Sequence, residues 1–420
     1  MVSAFDRTFQ PHRLVMSFPL TSLGAFKIRF AASLGLPPPD IIRIAIDDMT
    51  EQSLTAPRLL PFNYAGNVLG YNSPRVLQFY GGPHFGGLGS NISPPLSRAE
   101  FQSNFLFGSE VIDEVRERLQ FPRSPGQPPH KDFAYMHDAT GVPKRWVSQE
   151  TAFLVFLKRM RTRGSVVIQL QAFFGRSVGW ISQVFNAVLH FLYTRWVPTK
   201  NLSLDSNIFN YWRLQDYATC LKKADFGVPG CAGFVDGTFH GINRPGRDGY
   251  NGLLQRLFYN GAHKLHGIIF EIITFPDGLI GHAYGPVSGR HYDLYLARKS
   301  KLRELLFNGA LKHFRLFGDK AYLGFGSRVV HPFISPPSGS YEAWFNTHTS
   351  AYRIEVEHNI GNIYMQCAVL QNEMNLATQL PEAWFLVAVF IHNVHTCVMS
   401  NNQTALRFGM LPLSLRRYLS

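Results

Sequence analysis

Apolar and polar positions change rhythm twice along this chain. Residues 1–70 hold mixed apolar segments of moderate helical period, such as Pro39 to Met49 (PDIIRIAIDDM). Gly, Pro and Ser then crowd residues 73–97, and a second Pro-rich stretch, Phe121 to His130, follows a short helical pattern at Glu110 to Leu119. Residues 73–97 and 121–140 therefore read as loops or linkers. The pattern assigns the first 140 residues no role.

From Ser148 the period becomes helical. Residues 150–160 (ETAFLVFLKRM) read as a helix with Ser148 as N-cap. Val166 to Phe174 is a second helix, Gly175-Arg176-Ser177 a tight turn, and Val178 to Trp196 a long third helix begun by Ser177. This is the layout of a helix-turn-helix, and equally of an ordinary helical hairpin with a solvated basic face.

From Gly233 strands enter. Gly233 to Thr238 (GFVDGT) reads as a short apolar strand ending in an acid and a turn. His266 to Phe275 (HGIIFEIITF) is β-branched and aromatic, Pro276-Asp277-Gly278 turns it, and Leu279 to Tyr284 returns as its hairpin partner. Residues 294–307 look helical, Phe314 to Asp319 is a strand running into an acid, and 351–372 and 381–399 are long helices. Strands mixed with helices argue an α/β domain with a hairpin on one side. The chain thus divides into an N-terminal region 1–140, a helical module 141–225, an α/β domain 226–405 and a tail 406–420.

Length agrees, since 420 residues exceed one core and suggest two or three domains. Charge adds a partner. Lys and Arg number 41 against 28 Asp and Glu, a formal +13, although only 16% of residues are charged. Between Lys144 and Lys200 there are nine basic residues and one acid, Glu150, so +8 lies in one stretch. That imbalance points to an anionic partner, and the basic helix pair favours duplex DNA. Cys220, Cys231, Cys367 and Cys397 include no CxxC pair, which excludes a disulfide scaffold and a zinc ribbon and reads as intracellular. The N-terminal residues are broken by Asp6, Arg7, His12 and Arg13, so no signal-peptide core is expected. The longest apolar run, Trp384 to Ile391, is too short for a bilayer, so a membrane partner is not expected.

The acids carry the candidate chemistry. Asp236 and Asp319 stand where the sequence ends two strands, and Glu357 lies in the helical run from Tyr352 to Gln366. Acids among apolar neighbours are costly unless paired or bound to a cation. Two strand-end aspartates and a helix glutamate, converging on one sheet edge, would form a divalent-cation site of the kind that cleaves phosphodiesters. Taken singly, each acid reads as a turn Asp or a solvated helix Glu. His263 with His266, and His392 and His395 with Cys397, lack the companion ligands of a closed zinc site.

The blocks VDGTFHGINRPG (235–246), residues 255–300, GDKAY (318–322) and RIEVEHNIGNI (353–363) together resemble the PIF/Harbinger superfamily of DDE transposases and their domesticated nuclease relatives. FGRSVGWISQVFNAVL (174–189) and VAVFIHNVHTC (387–397) are similar to segments flanking that family's motifs, and the likeness spans about residues 140–415. It implies an RNase H-like fold in which three acids bind two divalent metals, Mg²⁺ or Mn²⁺, and cut DNA. Carried across by motif, the catalytic acids are Asp236, Asp319 and Glu357, with Val356 and Gly361 fixing the register that selects Glu357 over Glu355. Asp293, after the GP-x-x-GR segment, is implied as a fourth metal ligand or a group behind the ligands, at the rim of the cluster. A nuclear location and a separate DNA-binding partner protein are implied as well.

The chain departs from the family pattern in places. Tyr292 separates His291 from Asp293, Tyr322 comes three places after Asp319, Lys320 follows Asp319 directly, and His358 and Asn359 follow the glutamate. None removes a carboxylate. Lys158, Arg159, Arg161, Arg163 and Arg176 are the expected DNA contacts of the helical module, and Arg298, Lys299, Lys301 and Arg303 those of the α/β domain. The rival readings are a catalytically silent DNA-binding or scaffold protein and an RNase H-type RNA nuclease.

Overall fold

The computed structural model describes residues 96–121, 132–137, 143–163, 166–197, 210–246, 252–300, 302–309, 311–376 and 379–420. Pro39 to Met49, nearly all of 73–97 and part of 121–140 lie outside these residues. The chain begins with α1 (Arg98–Phe105), α2 (Ile112–Arg118), strands β1 (Asp132–His137) and β2 (Pro143–Ser148), then α3 (Gln149–Arg161), α4 (Val166–Phe174), α5 (Val178–Trp196) and α6 (Tyr211–Lys223). There follow β3 (Cys231–Gly241), α7 (Leu253–Phe258), β4 (Tyr259–Asn260), β5 (Leu265–Thr274), β6 (Ile280–Ser288), α8 (Asp293–Lys299), α9 (Leu302–Phe307), β7 (Arg315–Phe317) and β8 (Val329–Val330). The last elements are α10 (Tyr341–Gln366), α11 (Pro381–Met399), α12 (Gln403–Phe408) and α13 (Leu415–Tyr418).

Capping chemistry sets several helix starts. The Ser148 hydroxyl accepts from Thr151 N and begins α3, and Ser177 accepts from Trp180 N and begins α5 after Gly175, whose φ is +61°. The helix, glycine turn, serine, helix layout is therefore present. Ser97 and Glu100 form a reciprocal capping box that starts α1.

The main sheet is mixed. Strand β5 pairs antiparallel with β3 along one edge and with β6 and the short β4 along the other, and β7 and β8 extend the sheet in parallel beyond β3. A five-strand path of two antiparallel neighbours on one side of β3 and two parallel on the other, with helices packed against it, is the mixed α/β architecture that the sequence predicts. Asn393 on α11 pins β6 from within the core: its amide accepts from Ile280 N and donates to Ile280 O, each at 2.8 Å.

Several sequence expectations change, and the long helix expected over 351–372 runs instead from Tyr341 to Gln366, begun by Ser340, whose hydroxyl accepts from Ala343 N. Residues 121–140 read as loop, yet Asp132–His137 pairs with Pro143–Ser148 as an antiparallel hairpin. Its Phe133 is buried against Phe121 and Phe191, which repays the ordering of a stretch rich in turn formers. The short strand expected to stop at Asp236 continues to Gly241, its residues in register with β5 throughout. The single helical segment 294–307 is two short helices, α8 and α9.

The core crosses the 225/226 boundary. Phe185 of α5 meets Trp384 of α11 at 4.9 Å, Trp196 stacks on Phe390 at 5.9 Å, and Phe185 stacks on Phe156 of α3 at 5.6 Å. The tail also joins it, since Tyr418 is fully buried and its hydroxyl accepts from Asn393. α11 is long and apolar enough to cross a membrane by composition alone, but it is buried along most of its length among these rings.

Candidate metal centre

Each acid is delivered by a different element. Asp236 lies within β3, opposite Ile272 of β5, and its Oδ1 accepts from the following amide, Gly237 N, at 2.9 Å. Asp293 is the first residue of α8. Asp319 follows β7 and caps the 3-10 turn Lys320–Tyr322 by accepting from Ala321 N at 2.8 Å. One carboxylate oxygen from each of these three aspartates lies within 4.8 Å of the others. All three are half-buried.

Gly237 makes this convergence possible. A Cβ built there would fall 2.1 Å from Asp293 Oδ1, so only glycine leaves room for that carboxylate against β3. The glycine after Asp236 is thus a clearance for a second acid, where the sequence suggested a turn.

Electrostatics follow from the crowding. Burial, then the neighbouring charges of Asp293 and Asp319, pushes Asp236 up to about 7, with Arg353 pulling the other way. Burial, then Asp319 and Glu271, pushes Asp293 up to about 6. Carboxylates held this close resist ionising together unless a cation lies between them. The donors are all oxygen, which suits Mg²⁺ or Mn²⁺ better than softer metals.

Glu357 stands apart from the three. It is exposed on α10, and its Oε1 pairs with Arg353 Nη1 one turn earlier at 2.6 Å. The same Nη1 lies 3.9 Å from Asp236 Oδ2. Arg353 is therefore the link between Glu357 and the cluster. Asp293, expected at the rim, is inside the cluster, and Glu357 reaches it through a guanidinium. Glu355 is buried on another face of α10, where it accepts from Thr404 Oγ1 at 2.8 Å and pairs with Arg407.

Three further residues belong to the surroundings of the acids, where the sequence reading assigned them no role. Glu271 is fully buried opposite Gly237, 3.6 Å from His282 Nε2, and neither of its oxygens has a hydrogen-bond partner among the described residues. The acid in HGIIFEIITF was a visible signal, because a charge inside an apolar strand demands a reason. Tyr322 is buried, and burial together with Glu271, Asp293, Asp236 and Asp319 drives its hydroxyl well above the usual range. Arg353 could have been found from its spacing of four residues before Glu357 on one helix.

The basic residues divide. Lys158 pairs with Asn104 Oδ1 and lies over the Phe173 ring. Arg159 stacks on Phe185 and Trp384, at 5.7 and 5.1 Å from the ring centres, and Arg161 donates to Ser103 O and Gln366 O at 2.6 and 3.2 Å. These three heads fasten α3 to its neighbours. Arg163, Arg176, Arg298, Lys299 and Arg303 are exposed, as is Lys320 beside Asp319, while Lys301 lies outside the described residues.

Residues 235–393 match the model of the DDE superfamily endonuclease family. That span begins one residue before Asp236 and contains Asp293, Asp319, Arg353 and Glu357. A cryo-electron-microscopy structure of a piggyBac transposase synaptic complex with hairpin DNA is similar at 12% identity and a TM-score of 0.32, over 76% of this chain and 77% of that one. No curated protein sequence matches the chain. Residues 235–393 are thus similar to the DDE superfamily endonucleases, and the three gathered aspartates lie within that span.

Proposed function

We propose that the chain is a divalent-metal-dependent DNA endonuclease or transposase of the DDE type, of the PIF/Harbinger kind, acting in the nucleus on double-stranded DNA. The observation that carries this is the gathering of Asp236, Asp293 and Asp319, far apart in sequence, so that their oxygens lie within 4.8 Å of one another. The family match over the same residues supports it.

Asp236, Asp293 and Asp319 would hold the cations, with Glu357 available from α10. Bound Mg²⁺ or Mn²⁺ pairs supply activation of an attacking water and charge stabilisation at the leaving oxygen of a phosphodiester. The chain's own contribution is positional. Gly237 admits Asp293, Ala321 N holds Asp319 in its capping orientation, and Gly237 N holds Asp236. Lys320, next to Asp319 in sequence, and the exposed Arg298 and Lys299, on the helix that Asp293 begins, are available to a DNA backbone.

The test is cleavage of plasmid DNA with Mg²⁺ or Mn²⁺, wild type against Asp236→Asn. Cleavage by the wild type that falls at least about a hundredfold in the variant, with DNA binding retained, supports the reading. Metal-independent cleavage, or equal cleavage by both proteins, overturns it. DNA binding with no cleavage in any metal would leave a silent DNA-binding protein.

A further inference from the structure

Arg353 occupies an unusual position. Its Nη1 contacts Glu357 Oε1 on α10 at 2.6 Å and lies 3.9 Å from Asp236 Oδ2 on β3, within ion-pair range of both carboxylates. A cation shared by these two side chains is what a second metal ion would be. The first group of acids, Asp236, Asp293 and Asp319, is complete without Glu357. We infer that Arg353 is an internal counter-ion at the second cation position, so that the centre takes one divalent ion readily and a second only when Arg353 gives up Glu357.

This rests on the metal-centre reading above. Its physical basis is competition for one carboxylate. Glu357 is nearly half exposed and Arg353 a third exposed, so their pair is screened by water and can be broken without leaving a charge stranded in the core. The competition depends on where the guanidinium lies: its planar fork can stay on Glu357 or swing away from it. A guanidinium within 4 Å of Asp236 also repels an incoming dication. Arg353 is therefore a positioning residue that sets how many ions the centre holds before DNA arrives. Glu357 is recruited last.

Mn²⁺ titration of the full chain without DNA, followed by electron paramagnetic resonance and calorimetry, separates the two ions. The wild type should bind one ion tightly and a second weakly. Arg353→Gln should strengthen the second at least about tenfold, and adding Glu357→Gln should cancel the gain. In the wild-type background, Glu357→Gln should leave the first ion within about threefold, whereas Asp236→Asn should abolish it. This second comparison stands even if Arg353→Gln folds poorly. A second ion unchanged or weakened in a folded Arg353→Gln protein overturns the inference, as does a first ion lost in Glu357→Gln. If no ion binds the wild type at all, the metal-centre reading falls and this inference falls with it. If the first ion binds and only the second fails to respond, the inference alone falls.

Discussion

The Asp293 carboxylate fills the volume that a side chain at Gly237 would need, with Asp293 Oδ1 2.1 Å from the position of a Cβ there. Gly237→Ala must therefore displace Asp293 or bend β3. The expected result is loss of the tight Mn²⁺ site and a cleavage rate lower by about a hundredfold or more, close to the effect of removing the acid itself. Calorimetric Mn²⁺ binding by Gly237→Ala as tight as wild type would show that Asp293 is not a ligand. The sheet should survive, because position 237 still supplies its backbone to β5.

Crowding of the acids makes the metal-free fold sensitive to pH. Asp236 sits at about 7 and Asp293 at about 6, against an ordinary value near 3.8. For acids raised in this way, the neutral form is favoured in the folded state. Their contribution is complete below pH 3.8 and is lost as pH rises through 6 and 7, at up to about 1.4 kcal/mol per pH unit for each carboxyl. In chelator, the stability of the wild type relative to Asp236→Asn should therefore fall between pH 4.5 and 8. Saturating Mn²⁺ should restore it, and Mn²⁺ affinity should itself rise with pH over that window. A wild-type-to-variant difference in denaturation midpoint that stays flat with pH would contradict the site's electrostatics.

Two helix starts were legible because their chemistry is local. Ser148 and Ser177 cap within three residues, so α3 and α5 begin where the sequence places them. The strand through Asp236 was not legible beyond the acid. Asp-Gly-Thr is turn chemistry locally, and only the distant Asp293 explains why glycine is needed inside a strand. The roles of Asp293 and Glu357 also depend on contacts across the fold. Glu357 is held by a neighbour one turn away on its own helix, whereas Asp293 is carried into the cluster by the packing of α8 on the sheet. The basic stretch was legible only as charge for a related reason: a count of charges does not tell which heads also tie helices together.

Arg161 illustrates that last point. Its guanidinium donates to Ser103 O and Gln366 O, tying α3 to α1 and to the end of α10. Arg161→Ala should cost about 1–3 kcal/mol of stability, seen as a lower urea midpoint, and should leave the salt dependence of DNA binding unchanged. Arg176→Ala should do the reverse. Arg176 is exposed over Trp180 at the start of α5, and its loss should flatten the slope of log K against log salt by about 0.9. A flattened slope in Arg161→Ala at unchanged stability would reverse this assignment.

Asp277 tests whether the hairpin turn is local chemistry or an anchor. The sequence marks Pro276-Asp277-Gly278 as a turn, and Asp277 Oδ1 does accept from Leu279 N at 3.1 Å. Its other oxygen is buried, however, and accepts from Tyr217 Oη at 2.8 Å and from Arg213 Nη2 at 2.6 Å. Tyr217 in turn stacks on Phe275 at 4.6 Å, so α6 is bolted to the β5–β6 hairpin at this point. Asp277→Ala would leave Arg213 without its buried counter-charge, a loss on the order of 3–5 kcal/mol. Asp277→Asn keeps the turn bond but not the charge and should fall between. Tyr217→Phe removes one hydrogen bond and should cost about 1 kcal/mol. Urea unfolding of the three variants should rank them in that order. Mn²⁺ binding by the folded fraction should stay at the wild-type level, because Ile272, the strand partner of Asp236, lies before the turn. An Asp277→Ala protein as stable as wild type would reduce Asp277 to an ordinary turn residue, and the docking of α6 would then rest on its apolar face alone.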